Sequence, residues 1–209
     1  MLLSRNNNHV FISGQTRSGK TYFAGRALAE LPGPVVFINL QEEDLPARFL
    51  TINSEKIATD QLIGAVKDGL KIDLRLPFDQ QKSNLVTAHI INSCMAAGFS
   101  EKRPVYIALD ECHLLKDRGL EKAIEAATRG LKRGVRCVFI TQRPALSSKT
   151  LYTQSSEQYI FYLASSEKEY LRNKGLDYDT CLDHWTRLGQ HSYIYYDGFK
   201  LEGRRRING

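Results

Sequence analysis

Two groups of residues in this sequence have the types and the spacing that nucleotide chemistry requires, and the first lies near the beginning. It fits the pattern GxxxxGK followed by Ser or Thr, which is the Walker A phosphate-binding loop. In this pattern, backbone N–H groups and the start of the following helix surround the phosphate oxygens. Lys20 would reach the β- and γ-phosphates, and the Thr21 hydroxyl would bind Mg²⁺. The predicted nucleotide-binding residues are Gly14, Gln15, Thr16, Arg17, Ser18, Gly19, Lys20 and Thr21.

The residues on both sides of this loop favour nucleotide binding over a chance match in a flexible loop. Residues 9–13 form a short β-prone run, and residues 21–29 carry apolar side chains at helical spacing. A strand, a glycine-rich turn and a helix N-terminus are the context in which this pattern binds phosphate.

The second group is an acid pair at the end of an apolar run, the Walker B pattern. Residues 105–109 are continuously apolar, as expected of a buried parallel strand, and Asp110 and Glu111 follow at once. Ligands of open α/β sheets bind at the carboxyl ends of such strands. Asp110 would hold Mg²⁺ through water, and Glu111 would orient or deprotonate an attacking water. Because nucleotide switches and kinases manage without that glutamate, the pair predicts hydrolysis of ATP.

The next apolar run, residues 135–140, leads into Thr141-Gln142-Arg143-Pro144. An amide at the tip of the strand beside the acid-bearing strand would lie near the γ-phosphate, where it can sense the phosphate or orient water. Pro144 then ends the strand. Gln142 is therefore a predicted sensor, and the alternative is an amide that only stabilises a turn.

Residues 114–150 hold nine Lys or Arg and three Asp or Glu, an excess equal to the formal charge of +6 of the whole chain. A helical projection of this segment separates two faces. The apolar face carries Leu120, Ile124, Ala127 and Leu131, and the opposite face carries Lys122, Glu125, Arg129 and Arg133. The charged face is either an ordinary solvated surface or a subunit interface that delivers a guanidinium to the γ-phosphate of a neighbour.

The elements that would position these groups alternate along the chain. Strands are predicted at 9–13, 35–40, 71–76, 105–110, 136–141, 158–164 and 191–197. Helices are predicted at 20–31, 59–68, 80–97, 118–132 and 166–174. Strands separated by helices indicate a mostly parallel sheet with right-handed crossovers and helices on both faces. The sequence therefore predicts a three-layer α/β P-loop NTPase of the RecA-like (ASCE) kind, with its two motif-bearing strands not adjacent.

Several finer features complete the expected organisation, which is a single domain over residues 1–209. A Ser-x-x-Glu capping box at Ser166 and Glu169 would begin the last helix, and Gly175 would end it. Residues 193–199 read as an antiparallel edge or hairpin strand. Residues 39–51, which are rich in acids and contain proline, are the one candidate for a linker.

Composition places the chain among soluble cytoplasmic proteins. No apolar run approaches the roughly 18 residues that a membrane-spanning helix needs, and the first ten residues lack the apolar core of a signal peptide. Four cysteines, Cys94, Cys112, Cys137 and Cys181, show no metal-ligand spacing and are expected to be reduced packing residues. The pI near 9.1 permits a nucleic-acid partner, to which residues 204–206, three arginines, could contribute.

Three segments, taken in order, resemble motifs of the FtsK/HerA superfamily of DNA-pumping ATPases: Asp110-Glu111-Cys112-His113, Arg129-Gly130-Leu131-Lys132-Arg133-Gly134-Val135, and Thr141-Gln142-Arg143-Pro144. That family typically has an acid pair followed by Ala-His, then a basic Gly-Arg-Lys-x-Gly segment, then Thr-Gln-Arg-Pro. The similarity covers residues 9–164. The short chain most resembles the DNA-packaging ATPases of icosahedral, membrane-containing viruses of bacteria and archaea.

The resemblance implies ATP and Mg²⁺ as cofactors and a homo-oligomeric ring of five or six subunits, with ATP hydrolysed between subunits. It implies sequence-independent binding of double-stranded DNA in the ring channel and delivery of a viral genome into a procapsid. It also implies contacts with capsid or vertex proteins, in the host cytoplasm or on the virion.

The sequence departs from the family pattern at two positions. The arginine of the family's basic segment, the candidate arginine finger, falls on Leu131, so Arg129 and Arg133 beside it become the candidates and Arg143 follows them. Arg129 is favoured because it projects away from the apolar face. Cys112 replaces the usual alanine, which exchanges one small side chain for another.

Other functions explain parts of the pattern. A DExH helicase would explain residues 110–113 but needs two tandem domains, and this chain has room for one. A small-molecule kinase would explain the phosphate loop but not residues 141–144. A filamentous-phage assembly or export ATPase has a similar core and usually carries a membrane segment. A nucleotide-dependent scaffold would need no base at Glu111.

Overall fold

The computed structural model describes residues 8–40, 44–45, 48–189, 191–197 and 201–204. Its strands form one sheet. The strands are β1 Val10–Ser13, β2 Val35–Asn39, β3 Leu50–Asn53, β4 Lys71–Arg75, β5 Val105–Leu109, β6 Val135–Thr141, β7 Glu157–Phe161, β8 Tyr193–Tyr196 and β9 Leu201–Arg204. The helices are α1 Lys20–Ala29, α2 Thr59–Lys67, α3 Gln80–Ala96, α4 Asp117–Arg129, α5 Lys149–Thr153, α6 Lys168–Arg172 and α7 Tyr178–Leu188.

The sheet has the order β3-β4-β2-β5-β6-β1-β7-β8-β9, and its first seven strands are parallel. The last two strands pair antiparallel at the β7 side. β6 lies between β5 and β1, which confirms the prediction that the two motif-bearing strands are not adjacent. Register pairs Ser13 with Thr141 and Leu109 with Phe139, so β1, β5 and β6 end together at one edge. We call this the nucleotide edge.

Side chains alternate between the two faces of the sheet and bury two apolar clusters. Along β1, Phe11 belongs to one cluster, whereas Val10 and Ile12 belong to the other. The Val10 face packs against α1 through Phe23 and Leu28. The Phe11 face packs against buried residues of α2, α3, α4, α6 and α7. Helices on both faces confirm the predicted three-layer α/β fold.

The helix that follows the phosphate loop is anchored at its far end. The Lys71 ammonium donates to the carbonyls of Leu28, Ala29 and Leu31 at 3.1, 2.9 and 2.5 Å. The last carbonyls of a helix have no partner within the helix, and a cation there also complements the helix dipole. This contact ties α1 to β4, on the other half of the sheet.

The buried face of α4 differs from the apolar face that the helical projection predicts. The buried positions of α4 are Gly119, Ala123, Ala126 and Ala127, whereas Leu120 and Ile124 are only partly buried. Close packing explains the difference, because a Cβ at Gly119 would lie 2.6 Å from the Asn84 side chain of α3. Small residues therefore form the contact, and the larger apolar residues lie beside it.

Three smaller predictions also need correction. α6 begins at Lys168, its N-cap is Glu167, and no side chain caps it, so the capping box at Ser166 and Glu169 is wrong. The expected linker, residues 39–51, begins at the end of β2 and ends inside β3, which contains residues 50 and 51, while residues 41–43 and 46–47 lie outside the described residues. The strand expected at residues 193–199 is β8, and of the two predicted alternatives it is the antiparallel hairpin strand, because it pairs with β9 and β9 is the edge strand.

Other expectations hold. Gly175 has a φ of +73° in the turn after α6, and its N–H donates to the carbonyl of Arg172, the last residue of the helix, as expected of a glycine that ends a helix. All four cysteines are free and buried. Within the described part of the chain, no helix is long and apolar enough to span a bilayer.

Candidate active site

The phosphate loop is held between its two neighbouring strands. The N–H of Gly14 donates to the Thr141 carbonyl beside it on β6 (3.1 Å), and the N–H of Gln15 donates to the Tyr162 carbonyl after β7 (2.7 Å). A Cβ at Gly14 would lie 2.5 Å from both the Phe161 Cβ and the Ser18 Oγ, so only glycine fits this entry. The predicted strand, loop and helix are all present.

The loop reaches α1 through left-handed backbone conformations. Gly19, the N-cap residue, has a φ of +91°, and Arg17 has a φ of +65° although it is not glycine. Positive φ is strained for a residue with a Cβ, and such strain clusters at ligand-binding loops. Conformations of this kind curve a loop so that backbone N–H groups and a helix N-terminus can surround a phosphate.

Lys20 and Glu111 form a buried ion pair. The Lys20 Nζ lies 3.3 Å from the Glu111 Oε1, and the two side chains are 4% and 1% exposed. Lys20 comes from the first turn of α1 and Glu111 from the residues after β5, so the pair joins the two sequence motifs across the sheet. The predicted phosphate-binding cation and the predicted base therefore meet at one place.

Glu111 is held by the strand between the two motifs. Its backbone has a φ of +47°, a rare conformation for glutamate that turns the chain directly after Asp110. The Gln142 amide Nε2 donates to Glu111 Oε1 (2.6 Å), and the Gln142 backbone N–H donates to Oε2 (3.1 Å). The predicted sensor is thus in direct contact with the predicted base.

Two further residues join this network through contacts that the sequence does not predict, since Thr16 is predicted only as a nucleotide-binding residue and His113 only as part of a family-like motif. The Thr16 hydroxyl donates to Gln142 Oε1 (2.5 Å), which leaves the amide Nε2 to face Glu111. The His113 Nδ1 lies 3.2 Å from Glu111 Oε2 and 3.0 Å from the Thr141 hydroxyl. His113 belongs to the family-like motif, but no spacing in the sequence shows that its ring turns back onto the acid.

The surroundings of Glu111 set its charge. Burial alone would raise the pKa of this carboxyl, but the hydrogen bond from His113, the Lys20 charge and the two Gln142 contacts together hold it below its ordinary value. Glu111 is therefore ionised at neutral pH, as a residue that accepts a proton must be.

The predicted metal ligands are also at this edge. Thr21 is 5% exposed in the first turn of α1, and Asp110 is 1% exposed at the end of β5, where its Oδ1 accepts the Glu111 N–H (3.1 Å). No three His, Cys, Asp or Glu of the described residues cluster as a metal site. A hydroxyl and a carboxylate nevertheless fit Mg²⁺, which prefers oxygen and takes its other ligands from water and phosphate.

The arginine candidates lie at two different places. Arg143 is exposed and follows Gln142 at the nucleotide edge. Arg129, the last residue of α4, and Arg133, four residues later, are exposed at the opposite edge, where β6 begins. The seven residues of β6 span about 20 Å, so neither arginine reaches the phosphate loop of its own chain.

The remaining predictions concern the basic tail and properties that go beyond one folded chain. Arg205 and Arg206 of the basic tail lie outside the described residues, and Arg204 contributes its backbone to β9. Ring formation, DNA binding and the single-domain boundary 1–209 stay predictions.

No protein-family model and no curated protein matches this sequence. Solved structures do match. The DNA-packaging ATPase of Sulfolobus turreted icosahedral virus has a TM-score of 0.70 at 15% identity, over 98% of this chain and 100% of that chain. The genome-packaging NTPase of Sulfolobus turreted icosahedral virus 2, in complex with sulfate, has a TM-score of 0.68 at 14% identity, over 97% of this chain and 98% of that chain.

A relative outside viruses shares the architecture. The pCW3 conjugation coupling protein TcpA, with ATPγS, has a TM-score of 0.60 at 10% identity, over 95% of this chain and 60% of that chain. At these identities the likeness is one of fold. The chain has the fold of these packaging and coupling ATPases over nearly its whole length.

Proposed function

We propose that this protein is an ATP-hydrolysing DNA translocase that packages a viral double-stranded DNA genome into a procapsid. The observation that carries the proposal is the buried contact of Lys20, Glu111 and Gln142, which unites a phosphate-binding cation, an ionised base and an amide. The near-complete structural match with viral genome-packaging ATPases supports the choice of DNA as the transported polymer.

The proposed chemistry uses groups of this chain in distinct roles. The N–H groups of the phosphate loop and Lys20 hold the β- and γ-phosphates. Glu111 takes a proton from the attacking water, whose oxygen bonds to the γ-phosphorus while the bond to ADP breaks. Gln142, held by Thr16, orients that water and senses the γ-phosphate. Mg²⁺, held by Thr21 and Asp110, would neutralise phosphate charge.

The site is completed by a second copy of the chain. A γ-phosphate transition state gains greatly from a guanidinium, and Arg129 and Arg133 are about 20 Å from the phosphate loop of their own chain. In a head-to-tail ring, the opposite edge of one subunit faces the nucleotide edge of the next. Arg129 is the favoured finger, with Arg133 and then Arg143 as the alternatives, and the ring has five or six subunits.

Binding of DNA is expected to depend on contacts between basic residues and DNA phosphates and not on contacts with the bases. The basic segment of residues 114–150 has an excess of six positive charges, equal to the formal charge of the whole chain. Contacts of Lys and Arg with DNA phosphates release counterions. Affinity for double-stranded DNA is expected to be independent of sequence and to fall steeply with salt. Capsid or vertex proteins are the further partners of a packaging motor.

The test separates binding from hydrolysis. Lys20→Ala should abolish nucleotide binding, since it removes the charge against the phosphates. Glu111→Gln should keep ATP bound but lower kcat by about 10²-fold or more, because only the base is lost. Both are measured as ATP affinity and as hydrolysis with and without DNA.

The matched control is Glu121→Gln, an exposed acid on α4 that should change neither quantity. Hydrolysis by Glu111→Gln at the wild-type rate would remove Glu111 from the mechanism. If DNA does not bind at low salt and does not stimulate hydrolysis, the protein is not a DNA translocase. It would then be an ATPase with another function.

A further inference from the structure

A cavity of about 550 Å³ lies at the opposite edge of the sheet, beside the start of β7. It is bounded by α5, by the first residues of β7, by the residues after α6 and by the end of β8. In the sheet, β1 separates β7 from β6, so β7 lies two strand spacings, about 10 Å, from the strand that begins beside Arg129 and Arg133. No group of the hydrolysis scheme lines this cavity.

The wall of the cavity consists of side chains that suit the sugar-phosphate backbone of DNA. Among the described residues that line it are two Lys, two Ser, two Tyr, one Thr, one Asn and one Gln, with Asp197 as the one acid. Side chains of these uncharged polar and basic types make most contacts with phosphate oxygens in protein–DNA complexes. One of the two lysines, Lys149, is also the last lysine of the basic segment of residues 114–150.

The other lysine, Lys174, has an unusual environment. Its Nζ lies 4.5 Å from the centroid of the Tyr152 ring and 4.9 Å from that of the Tyr170 ring. Within the part of the chain that the structure describes, neither a hydrogen-bond acceptor nor a carboxylate contacts this ammonium. Partial burial lowers the pKa of Lys174 to about 8, because the charged form is poorly solvated there. The side chain is nevertheless mostly charged at neutral pH.

The two rings that contact the ammonium are held in place. Tyr152 and Tyr170 pack edge-on, with centroids 5.6 Å apart and planes at 90°. The Tyr170 hydroxyl donates to Gln158 Oε1 (3.4 Å), and Gln158 Nε2 donates to the Tyr152 carbonyl (3.1 Å). Ring faces attract a cation but do not replace the hydrogen bonds that it loses from water. An anion in the cavity would supply those bonds to an ammonium that is already positioned.

A second lysine of the same segment shows the difference. Lys168, the first residue of α6, also lies over a ring, with its Nζ 4.8 Å from the Tyr178 centroid. Its Nζ lies 3.9 Å from Asp179 Oδ1, and its side chain is 55% exposed. Lys174 has no such acid and is less exposed. Of these two lysines, Lys174 is therefore the one prepared for an anion from outside the chain.

We propose that this cavity is a contact site for the DNA backbone, in which Lys174 and Lys149 bind a phosphodiester of double-stranded DNA and the neighbouring hydroxyl and amide groups donate to its oxygens. The inference rests on the proposed function, because it assumes that DNA is the polymer that the protein moves. It goes beyond that function by placing part of the DNA path near the start of β7, beside the subunit contact proposed at β6.

Substitution of Lys174 tests the contact through the salt dependence of DNA binding. Lys174→Met keeps an unbranched side chain but removes the charge, so one phosphate contact should be lost. The Kd for duplex DNA should rise about fivefold at low salt, and the slope of log K against log salt should become about one unit less steep. Both changes should be the same for two duplexes of unrelated sequence, because phosphate contacts carry no sequence information.

The matched control is Lys168→Met, which removes a cation that lies over a tyrosine ring but has its own acid partner. It should change neither the Kd nor the slope. An unchanged slope in Lys174→Met would overturn the contact site. Equal losses in the two variants would also overturn it, because they would show a general effect of charge. Failure of the wild type to bind duplex DNA at low salt would instead overturn the proposed function itself.

Chemical labelling provides a second measurement on the unaltered protein. An amine-directed acetylating reagent should modify Lys174 in the free protein, and bound duplex DNA should protect it, as measured by mass spectrometry of its peptides. Lys168 should be acetylated equally with and without DNA. Inorganic phosphate at the same ionic strength should protect Lys174 much less than DNA does. Equal protection of the two lysines, no protection of Lys174, or equal protection by phosphate and DNA would overturn the DNA contact.

Discussion

The two edges of the sheet differ in how their charged residues are placed, since those at one edge are buried and paired and those at the other are exposed. At the nucleotide edge, Lys20 and Glu111 are almost fully buried and contact each other, and Gln142 and His113 complete the coordination of the acid. At the opposite edge, Arg129 and Arg133 are exposed, and no ion pair of the described residues includes either of them. The hydrogen bond from Lys122 lowers the pKa of Glu125, and the two arginine charges lower it further.

The difference shows which edge can act alone. A buried, mutually bonded set of charges fixes the geometry of a base and its phosphate-binding cation within one chain, because each group restrains the next. An exposed guanidinium about 20 Å away has no such restraint and can contact another molecule. In the proposed function, the nucleotide edge supplies most of the active site, and the opposite edge supplies the guanidinium that a neighbouring subunit would use.

The largest expected effect comes from the opposite edge. Arg129→Ala should lower kcat about 10³-fold and leave ATP affinity close to that of the wild type, because a trans arginine stabilises the transition state and not the ground state. Neither extra ATP nor extra Mg²⁺ should restore the rate. Steady-state hydrolysis and equilibrium ATP binding measure the two quantities.

The control for Arg129 is Lys132→Ala, which removes a neighbouring exposed cation. A large effect of Lys132→Ala would mean that the general charge of this edge matters more than one guanidinium. An unchanged rate in Arg129→Ala would transfer the test to Arg133 and then to Arg143.

A buried titratable group at the opposite edge is kept neutral, which makes stability depend on pH. His9, just before β1, accepts the Cys137 N–H at Nδ1 (2.9 Å), and burial lowers its pKa to about 4. The unfolded chain takes up the proton near pH 6.5 and the folded chain does not, so stability is lost as pH falls from 6.5 toward 4. The loss at pH 5 should be about 2 kcal/mol.

The matched variant for this test is His9→Asn, whose amide oxygen can accept the same N–H but does not titrate. Urea unfolding at pH 7.5 and pH 5 should show that the wild type loses more stability than the variant over this interval. Equal losses in the two proteins would mean that His9 takes up a proton inside the fold as readily as in the unfolded chain.

A smaller effect is expected from the contact that orients the sensor. Thr16→Val keeps the shape of the side chain but removes the hydroxyl, so the Gln142 amide can turn away from Glu111, and kcat should fall about tenfold. Thr16→Ser should retain activity.

Gln142→Ala should lower DNA-stimulated hydrolysis much more than ATP affinity. If affinity and rate fall together, Gln142 is a binding residue and does not couple the γ-phosphate to DNA.

The sequence predicted six of the seven parallel strands, and the strand ends that carry the two motifs, because their signals are local. Continuous apolar runs identified β2 and β5, and the loop pattern identified the start of α1. β3 was missed because it is an exposed edge strand without alternation. α7 was missed although Tyr178, Cys181 and Trp185 have helical spacing and Asp177 caps the helix through the Thr180 N–H (2.8 Å).

Two kinds of information were beyond a single sequence. The packed face of α4 depends on how closely α3 approaches, and Gly119 against Asn84 reveals that only in three dimensions. The contacts of Thr16 and His113 join residues far apart in the chain, with separations of 126 residues for Thr16 and Gln142 and 28 for His113 and Thr141. Sequence spacing assigns residue types to a site, but not the bonds between them.

The central claim is that one active site is built from the nucleotide edge of one subunit and the opposite edge of the next. Glu111→Gln subunits retain Arg129, and Arg129→Ala subunits retain Glu111. A mixed ring then contains interfaces at which an intact base meets an intact arginine.

The decisive measurement is ATP hydrolysis by mixtures of these two inactive variants, with ring formation checked by negative-stain imaging. Activity should return in the mixture and reach its maximum near equal amounts. The control is a triple variant, Lys20→Ala, Glu111→Gln and Arg129→Ala in one chain. Mixtures of either single variant with the triple variant should stay inactive. Mixtures that form rings and stay as inactive as each variant alone would contradict a site shared between subunits through Arg129.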